Sequence, residues 1–206
     1  MRIMVISGSH RDNSQSEKVA HYVARSLLDT GQATETEVFS LAGNPLPLWD
    51  EGIWNGDERW NELLAPLSDK LAASDGFVIV SPEWHGQVPA GLKNFFLLWG
   101  GGSAELAHKP ALIVTVSAGD GGAYPVAELR MSSYKNNRIC YIPEQVIVRH
   151  VESVLNEDAS KNNPDADAYF RKRIVYAGGI LCAYATALKG VRESGVARTE
   201  TFRNGM

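Results

Sequence analysis

Short segments rich in valine and isoleucine predict four β-strands in this chain. Their sequences are RIMVIS (residues 2–7), GFVIVS (76–81), ALIVTVS (111–117) and QVIVRHV (145–151). The second and third are apolar with little alternation, which is typical of strands covered on both faces in a parallel sheet. A fifth segment, TEVFSL (36–41), alternates between polar and apolar residues and favours a strand nearer the edge of that sheet.

Apolar residues recur at helical spacing between these strands and after the last of them. The stripes cover residues 19–28, 60–71, 90–99 and 170–188. Pro66 must begin or kink the second helix, because proline cannot donate the hydrogen bond of a helix interior. Asn163 and Pro164 are a favourable N-cap and first residue for the last helix. This alternation predicts right-handed crossovers in a doubly wound, five-stranded parallel sheet with helices on both faces.

Length and composition favour one domain over the whole chain, residues 1–206. The chain has 206 residues, of which 44% are hydrophobic, and this is enough for a full core. A net charge of −4 provides no basic field for a nucleic-acid partner. No uninterrupted apolar stretch approaches membrane-spanning length, so no membrane partner is expected. Residues 191–206 are predicted to form a polar, frayed tail.

The two cysteines, Cys140 and Cys182, share no CxxC or metal-like spacing. Two core thiols in a reducing compartment are the simplest interpretation of such a pair. The predicted location is therefore the cytoplasm, and no metal site is predicted.

Three loops at one edge of the predicted sheet carry the unusual residues. In an open doubly wound sheet, ligands bind beyond the carboxyl ends of the strands, at the switch in strand order. The loops to inspect are those after the first, third and fourth strands of the chain. They comprise residues 8–18, 81–94 and 117–124, and we refer to them as loop one, loop two and loop three.

Loop one, GSHRDNSQSEK, has the composition of a phosphate site. Gly8 permits a tight exit from the strand, and the following helix begins near Ser14, where free N–H groups and the positive dipole end favour an anion. Arg11 adds a charge-assisted contact. The residues expected to bind the phosphate are Ser9, Arg11, Ser14, Gln15 and Ser16. Ser14 and Glu17 are also spaced as a capping box, so a plain helix cap remains an alternative.

Motifs that the chain lacks narrow the type of phosphate ligand. No Gly-Lys-Ser/Thr follows at the spacing of a Walker A motif, and loop one has no GxGxxG. The second strand ends at Ser40 and Leu41, without the acidic residue that would hold a ribose. The GxGG in loop three follows the fourth strand, where it is a weak nucleotide fingerprint. A monophosphate fits loop one best.

Loops two and three add groups that suit a flat ligand. Loop two, SPEWHGQVPAGLKN, is stiffened by proline and glycine and offers the rings of Trp84 and His85. In loop three, SAGDGGAY, glycines allow the backbone to approach a flat ligand closely. Each loop alone is also consistent with an ordinary strand-to-helix turn, and His85 alone with a surface or capping role. Together the three loops predict a flavin site, with its phosphate in loop one and the isoalloxazine edge against loops two and three.

These residues resemble the NADPH-dependent FMN reductases, a flavodoxin-like family that also contains quinone, chromate and azo-dye reductases. Loop one is similar to the family pattern GSxRxxSxxxK at Gly8, Ser9, Arg11, Ser14 and Lys18. Loop two is similar to PEYNGxxPxxLKN at Pro82, Glu83, Gly86, Pro89, Leu92, Lys93 and Asn94. Loop three looks like the SxGxxGG turn at Ser117, Gly119, Gly121 and Gly122, offset by one position. The resemblance covers residues 1–151, and Trp84 and His85 stand where the family usually has Tyr-Asn.

The resemblance implies bound FMN as cofactor and NAD(P)H as co-substrate. Besides the residues of loop one, it implies flavin contacts at Pro82, Glu83, Trp84, His85, Gly86, Ser117, Gly119 and Gly122. Hydride chemistry belongs to the cofactor, and the protein supplies position and electrostatics. No proton-transfer residue is therefore predicted, although His85 is a candidate donor to a reduced quinone.

The predicted function is hydride transfer from NAD(P)H through FMN to a quinone, free flavin or similar small acceptor. A flavodoxin-type electron carrier that does not oxidise NAD(P)H is the main alternative, and a non-catalytic flavin or nucleotide sensor is another. The sequence separates neither NADH from NADPH nor one acceptor from another. Lys135, Arg138 and Arg11 are basic but form no recognisable site for a 2′-phosphate.

A homodimer, or a homotetramer built from it, is also predicted. The helix at residues 90–99 is apolar on more faces than one sheet contact covers. The loop at residues 42–57 carries Trp49 and Trp54, which a monomer would rarely expose. Burial of these side chains within one chain is the alternative. In the resembling family the active site lies at the subunit interface, which implies that a second copy would cover the flavin. Trp49 or Trp54 of that copy is then expected to supply the wall against which nicotinamide or quinone packs.

Overall fold

The computed structural model describes residues 1–204 and contains one five-stranded sheet among them. Its strands are β1 (Arg2–Ser7), β2 (Glu35–Ser40), β3 (Gly76–Pro82), β4 (Pro110–Val116) and β5 (Cys140–Val148). The strand order is β2-β1-β3-β4-β5, and every neighbouring pair is parallel. This is the order of flavodoxin-like proteins, so the predicted fold is confirmed. The alternating segment, β2, lies at an edge as expected.

Helices cover both faces of the sheet. They are α1 (Gln15–Asp29), α2 (Gly52–Asn55), α3 (Glu58–Ala73), α4 (Ala90–Leu98), α5 (Ala123–Ser132) and α6 (Pro164–Glu193). The core under α1 and α6 contains Ile3 and Val5 of β1, and the core under α3, α4 and α5 contains Met4 and Ile6. Successive side chains of a strand point to opposite faces, so burial of both faces requires the unbroken apolar runs seen in the sequence.

The start of β5 differs from the prediction. The strand begins at Cys140 rather than Gln145, and its register against β4 shifts between Ala111 and Ile113. The first half of the strand lacks a recognisable strand pattern in the sequence, because Pro143 and neighbouring polar residues interrupt it. Pro143 is exposed, and within residues 1–204 its strand pairs with β4 alone. An edge strand tolerates the missing N–H donor.

The apolar helix α4 is covered by its own chain. Its buried side chains are Leu92, Phe95, Phe96 and Leu98, and Trp99 follows directly. The expectation that these residues need a second chain to cover them is therefore wrong. Leu97 is the large apolar residue of this helix that remains exposed, at 58%.

Helix α6 begins as predicted, with the Asn163 side chain accepting a hydrogen bond from the Ala166 N–H at 3.1 Å. It continues to Glu193, so the predicted frayed tail is partly helical. Thr199, beyond the helix, is buried, and residues 205–206 of the tail lie outside the described residues. By length and composition alone α6 could span a membrane. The absence of a long uninterrupted apolar stretch did not indicate this. One of its faces, including Ile174 and Leu181, belongs to the core under α1.

Candidate functional site

Loops one, two and three converge on a cleft of about 280 Å³ at the carboxyl ends of β1, β3 and β4. The predicted residues that line it are Ser9, Arg11, Ser14, Gln15, Ser16, Pro82, Glu83, Trp84 and Ser117. His85, Gly86, Gly119 and Gly122 do not line it. Residues that the prediction missed are Asn13, Val116, Ala118, Val151 and Glu152. The last two follow β5, whose carboxyl end lies beside that of β4.

Ser14 is the N-cap of α1, because its Oγ accepts a hydrogen bond from the Glu17 N–H at 3.1 Å. The cap interpretation is therefore correct, but it does not exclude an anion site. The N–H groups of Gln15 and Ser16, in the first turn, have no acceptor within the helix. They lie in the cleft wall, where the positive end of the helix dipole favours a negative charge.

Arg11 supplies the free positive charge of the cleft. Its side chain is exposed, and it is absent from the ion pairs formed within residues 1–204. Its backbone N–H donates to the Ser9 Oγ at 3.3 Å, which fixes the loop around it. Hydroxyls, open helix N–H groups and an unpaired guanidinium are the donors that a phosphate accepts from. This donor set fits the phosphate end of FMN.

Gly8 keeps loop one against β3. A Cβ at this position would lie 2.6 Å from Leu92 Cδ2 and 2.8 Å from the Val80 carbonyl oxygen. The Gly8 N–H donates to the same carbonyl at 2.7 Å. Glycine is therefore required by close approach, as the tight exit predicted from the sequence implies.

Loop two opens with a two-residue turn formed by His85 and Gly86. Trp84 and Gln87 exchange backbone hydrogen bonds of 3.1 and 2.9 Å across it. Both central residues have left-handed backbones, with φ of 50° at His85 and 74° at Gly86. Such a turn favours Asn-Gly, and histidine is one of the few other residues enriched in this conformation. Histidine is therefore compatible with the backbone conformation at the position where the resembling family has asparagine.

Trp84 connects loop two to loop one. Its ring meets the imidazole of His10 edge-on, with ring centroids 4.6 Å apart. The His10 Nδ1 is buried and has no hydrogen-bond partner among the described residues. Trp84 lines the cleft, and its role as an aromatic surface beside a flat ligand stays a prediction.

The glycines of loop three differ in what surrounds them. A Cβ at Gly122, where φ is 101°, would lie 2.5 Å from Ile147 Cγ2, and a Cβ at Gly121 would lie 2.8 Å from Glu83 Oε1. Gly122 is therefore required by the protein itself, whereas a side chain at Gly121 would displace the Glu83 carboxylate. A Cβ at Gly119 would meet no atom of residues 1–204 within 4 Å. Gly119 leaves open space, and this is consistent with close approach of a flat ligand.

Lys18 supports the cleft from behind. Its Nζ donates to the carbonyl oxygens of Val151 and Val154 and to Asn156 Oδ1, at 2.7, 2.9 and 2.8 Å. Burial lowers the pKa of this lysine. The contacts hold the turn that carries Val151 and Glu152 into the cleft. The lysine of the loop-one pattern is thus a structural clamp.

A second, larger groove of about 1010 Å³ lies between α4, α5 and the loop that precedes α2. Trp49 and Trp54 form one wall, with ring centroids 4.7 Å apart. Asn94 holds this wall in place, because its Oδ1 accepts from the Trp49 N–H and its Nδ2 donates to the Pro47 carbonyl, both at 2.8 Å. Neither tryptophan lines the smaller cleft.

A family model described as NADPH-dependent FMN reductase matches residues 1–153. The chain belongs to the NADPH-dependent FMN reductase family. It is 31% identical over 164 residues to an NADPH azoreductase of Bacillus sp. (strain OY1-2), covering 77% of this chain and 84% of the relative. It is 26% identical over 183 residues to an FMN-dependent NADPH-azoreductase of Staphylococcus aureus, covering 84% and 90%.

Solved structures agree on the fold of this FMN reductase family member. FerB, a flavoenzyme NAD(P)H:(acceptor) oxidoreductase from Paracoccus denitrificans, superposes with a TM-score of 0.67 at 22% identity, covering 91% of this chain and 97% of FerB. An NADH:FMN oxidoreductase, EmoB, superposes with a TM-score of 0.63 at 17% identity, covering 86% and 88%. Family membership confirms the predicted FMN cofactor and NAD(P)H co-substrate, and with them an oxidoreductase.

Proposed function

We propose that this FMN reductase family member passes reducing equivalents from NAD(P)H to a small aromatic acceptor, such as an azo compound, a quinone or a free flavin. The observation that carries the proposal is the meeting of loops one, two and three at one cleft with an unpaired Arg11. Azo compounds are included because two relatives are named azoreductases. Quinones and free flavin remain from the sequence prediction.

When bound, FMN supplies the hydride chemistry. The chain's own residues bind and orient it: the N–H groups at the start of α1 and Arg11 hold the phosphate end, and Trp84 offers a flat apolar surface near the ring. Backbone amides of loops two and three are proposed to stabilise negative charge at the ring edge, as an oxyanion hole does. No proton-transfer residue is assigned.

The test is a spectrum of the purified protein, followed by anaerobic titration with NADPH and with NADH and then by addition of an azo dye, a quinone or free FMN. We expect the purified protein to be yellow. At least one of the two nucleotides should bleach the colour, and addition of an acceptor should restore it. A yellow protein that neither nucleotide bleaches would instead indicate the electron-carrier alternative. A protein that binds no FMN would refute the site assignment.

We also propose that the chain forms a homodimer, alone or within a homotetramer. Support comes from Trp54 and Leu97, which line the larger groove and are exposed at 75% and 58%. Large apolar side chains grouped in this way are typical of interaction surfaces.

A cytoplasmic location is proposed as well, supported by the free thiols of Cys140 and Cys182. Sedimentation and cell fractionation test these two statements.

A further inference from the structure

Glu83 is one of two carboxylates, with Glu152, that line a cleft in which Arg11 and the start of α1 favour an anion. No lysine, arginine or histidine pairs with Glu83 among the ion pairs of residues 1–204. A carboxylate without a cation partner opposes binding of an anionic group in the same cleft.

The carboxylate fixes the backbone of loop three. Its Oε2 accepts a hydrogen bond from the Gly122 N–H at 2.6 Å, while its own backbone N–H donates to the Val116 carbonyl at 3.0 Å. On the other side of the same residue, the Thr115 Oγ1 donates to the Gly122 carbonyl at 2.7 Å. Gly122 is thus held through both its N–H and its carbonyl, by side chains from the ends of β3 and β4.

Gly121 shows that the position of the carboxylate is tightly specified. A Cβ on Gly121 would lie 2.8 Å from Glu83 Oε1 and 3.1 Å from Ser117 Oγ. The backbone therefore passes so close to the carboxylate that a side chain at Gly121 would displace it. Glu83 of loop two therefore accounts for two features of loop three: the small residue at Gly121 and the hydrogen bond of the Gly122 N–H.

We infer that Glu83 is a positioning residue that holds loop three against the flavin site and lowers the affinity of that site for reduced FMN relative to oxidised FMN. This inference rests on the proposed cofactor site. Reduction of a flavin adds negative charge at the N1/O2 edge, and a fixed carboxylate in the same cleft opposes that charge. The midpoint potential of the bound cofactor is therefore lower. Reduced FMN in this site would be a stronger reductant toward the acceptor.

Two variants separate the charge from the hydrogen bond. Glu83→Gln keeps an acceptor oxygen but removes the charge, so we expect reduced FMN to bind about tenfold more tightly relative to oxidised FMN. Tenfold corresponds to a rise of about 30 mV in the two-electron midpoint potential. Glu83→Ala also removes the acceptor, so we expect amide hydrogen exchange of residues 117–122 to accelerate in the cofactor-free protein. If Glu83→Ala does not fold, Gly121→Ala takes the place of that variant in the exchange experiment, because its side chain displaces the Glu83 carboxylate from the Gly122 N–H.

Asp120→Asn is the matched control. Asp120 lies in loop three, but its side chain is 90% exposed and pairs with His150, so solvent screens its charge. A midpoint potential unchanged in Glu83→Gln, or shifted equally in Asp120→Asn, would overturn the charge role. Unchanged exchange in Glu83→Ala or Gly121→Ala would overturn the positioning role. Failure of the unmodified protein to bind FMN would refute the cofactor site itself, which is a distinct outcome.

Discussion

The ammonium group of Lys18 lies 2.7 Å from the carbonyl oxygen of Val151, although the two residues are 133 positions apart in the sequence. This contact ties the first helix, which carries Gln15 and Ser16 of the phosphate-binding loop, to the turn after the last strand. Val151 lines the cleft itself, and Lys18 is linked to it through Gln15 and Ser16 of the same helix. The lysine therefore connects folding of the sheet to assembly of the site.

Replacing Lys18 with Met should cost about 2 kcal/mol of unfolding free energy, because buried carbonyl oxygens lose their donor. FMN affinity should also fall, since Val151 and Glu152 lose their support. Chemical denaturation and FMN titration measure the two effects. Lys172→Met on the exposed side of α6 is the control. Equal stability of the two variants would contradict the clamp.

Replacing Arg11 with Ala should weaken FMN binding by roughly ten- to a hundredfold, because a charge-assisted contact contributes about 1.5–3 kcal/mol. Riboflavin, which lacks the phosphate, should bind equally well to both proteins. Fluorescence titration with the two flavins makes the comparison, and Arg25→Ala, on α1 and outside the cleft lining, is the control. An equal loss for riboflavin would show that Arg11 does not bind the phosphate.

His85 should behave as a turn residue. His85→Asn should keep the free energy of unfolding and the turnover number, because asparagine favours the same left-handed backbone. His85→Val should lose about 1 kcal/mol or more, because a branched side chain clashes in that conformation. Denaturation and steady-state kinetics measure both. A large loss of turnover in His85→Asn at unchanged stability would instead support a proton-donor role.

Lys109 gives the fold a pH dependence. Its Nζ caps the end of α3 by donating to the carbonyls of Leu71 and Ala72, both at 2.7 Å. Burial lowers its pKa from 10.5 to about 8. The unfolded chain therefore holds a proton between pH 8 and 10.5 that the folded chain has released, so stability rises with pH in that window.

From Lys109 alone, the unfolding free energy should increase by about 1 kcal/mol between pH 8 and 9. Lys109→Met should lack this increase, although its absolute stability is lower because two carbonyls lose their donor. Urea denaturation at closely spaced pH values gives both slopes. Parallel slopes for the two proteins would mean that Lys109 titrates near its ordinary pKa.

The fold and the three loops could be predicted because their signals are local. Apolar runs report burial on both faces, and Gly8, Ser14 and Arg11 lie within one short segment. The contacts that organise the site could not be predicted in this way. Glu83 meets Gly122 and Lys18 meets Val151 only after the crossovers bring distant loops together. The burial of α4 also depends on tertiary packing, since Phe95 and Trp99 fill a core that periodicity alone does not define.

The last prediction concerns the larger groove as the surface for a second copy. Leu97 lines it and is exposed at 58%, so Leu97→Glu should place a charge in the proposed interface and convert the dimer to monomer at micromolar concentration. Leu48→Glu is a matched control, because Leu48 is exposed at 76% and does not line the groove. Sedimentation velocity separates the states. A dimer that survives both substitutions would place the interface elsewhere, and a fully active monomer before any substitution would refute the homodimer.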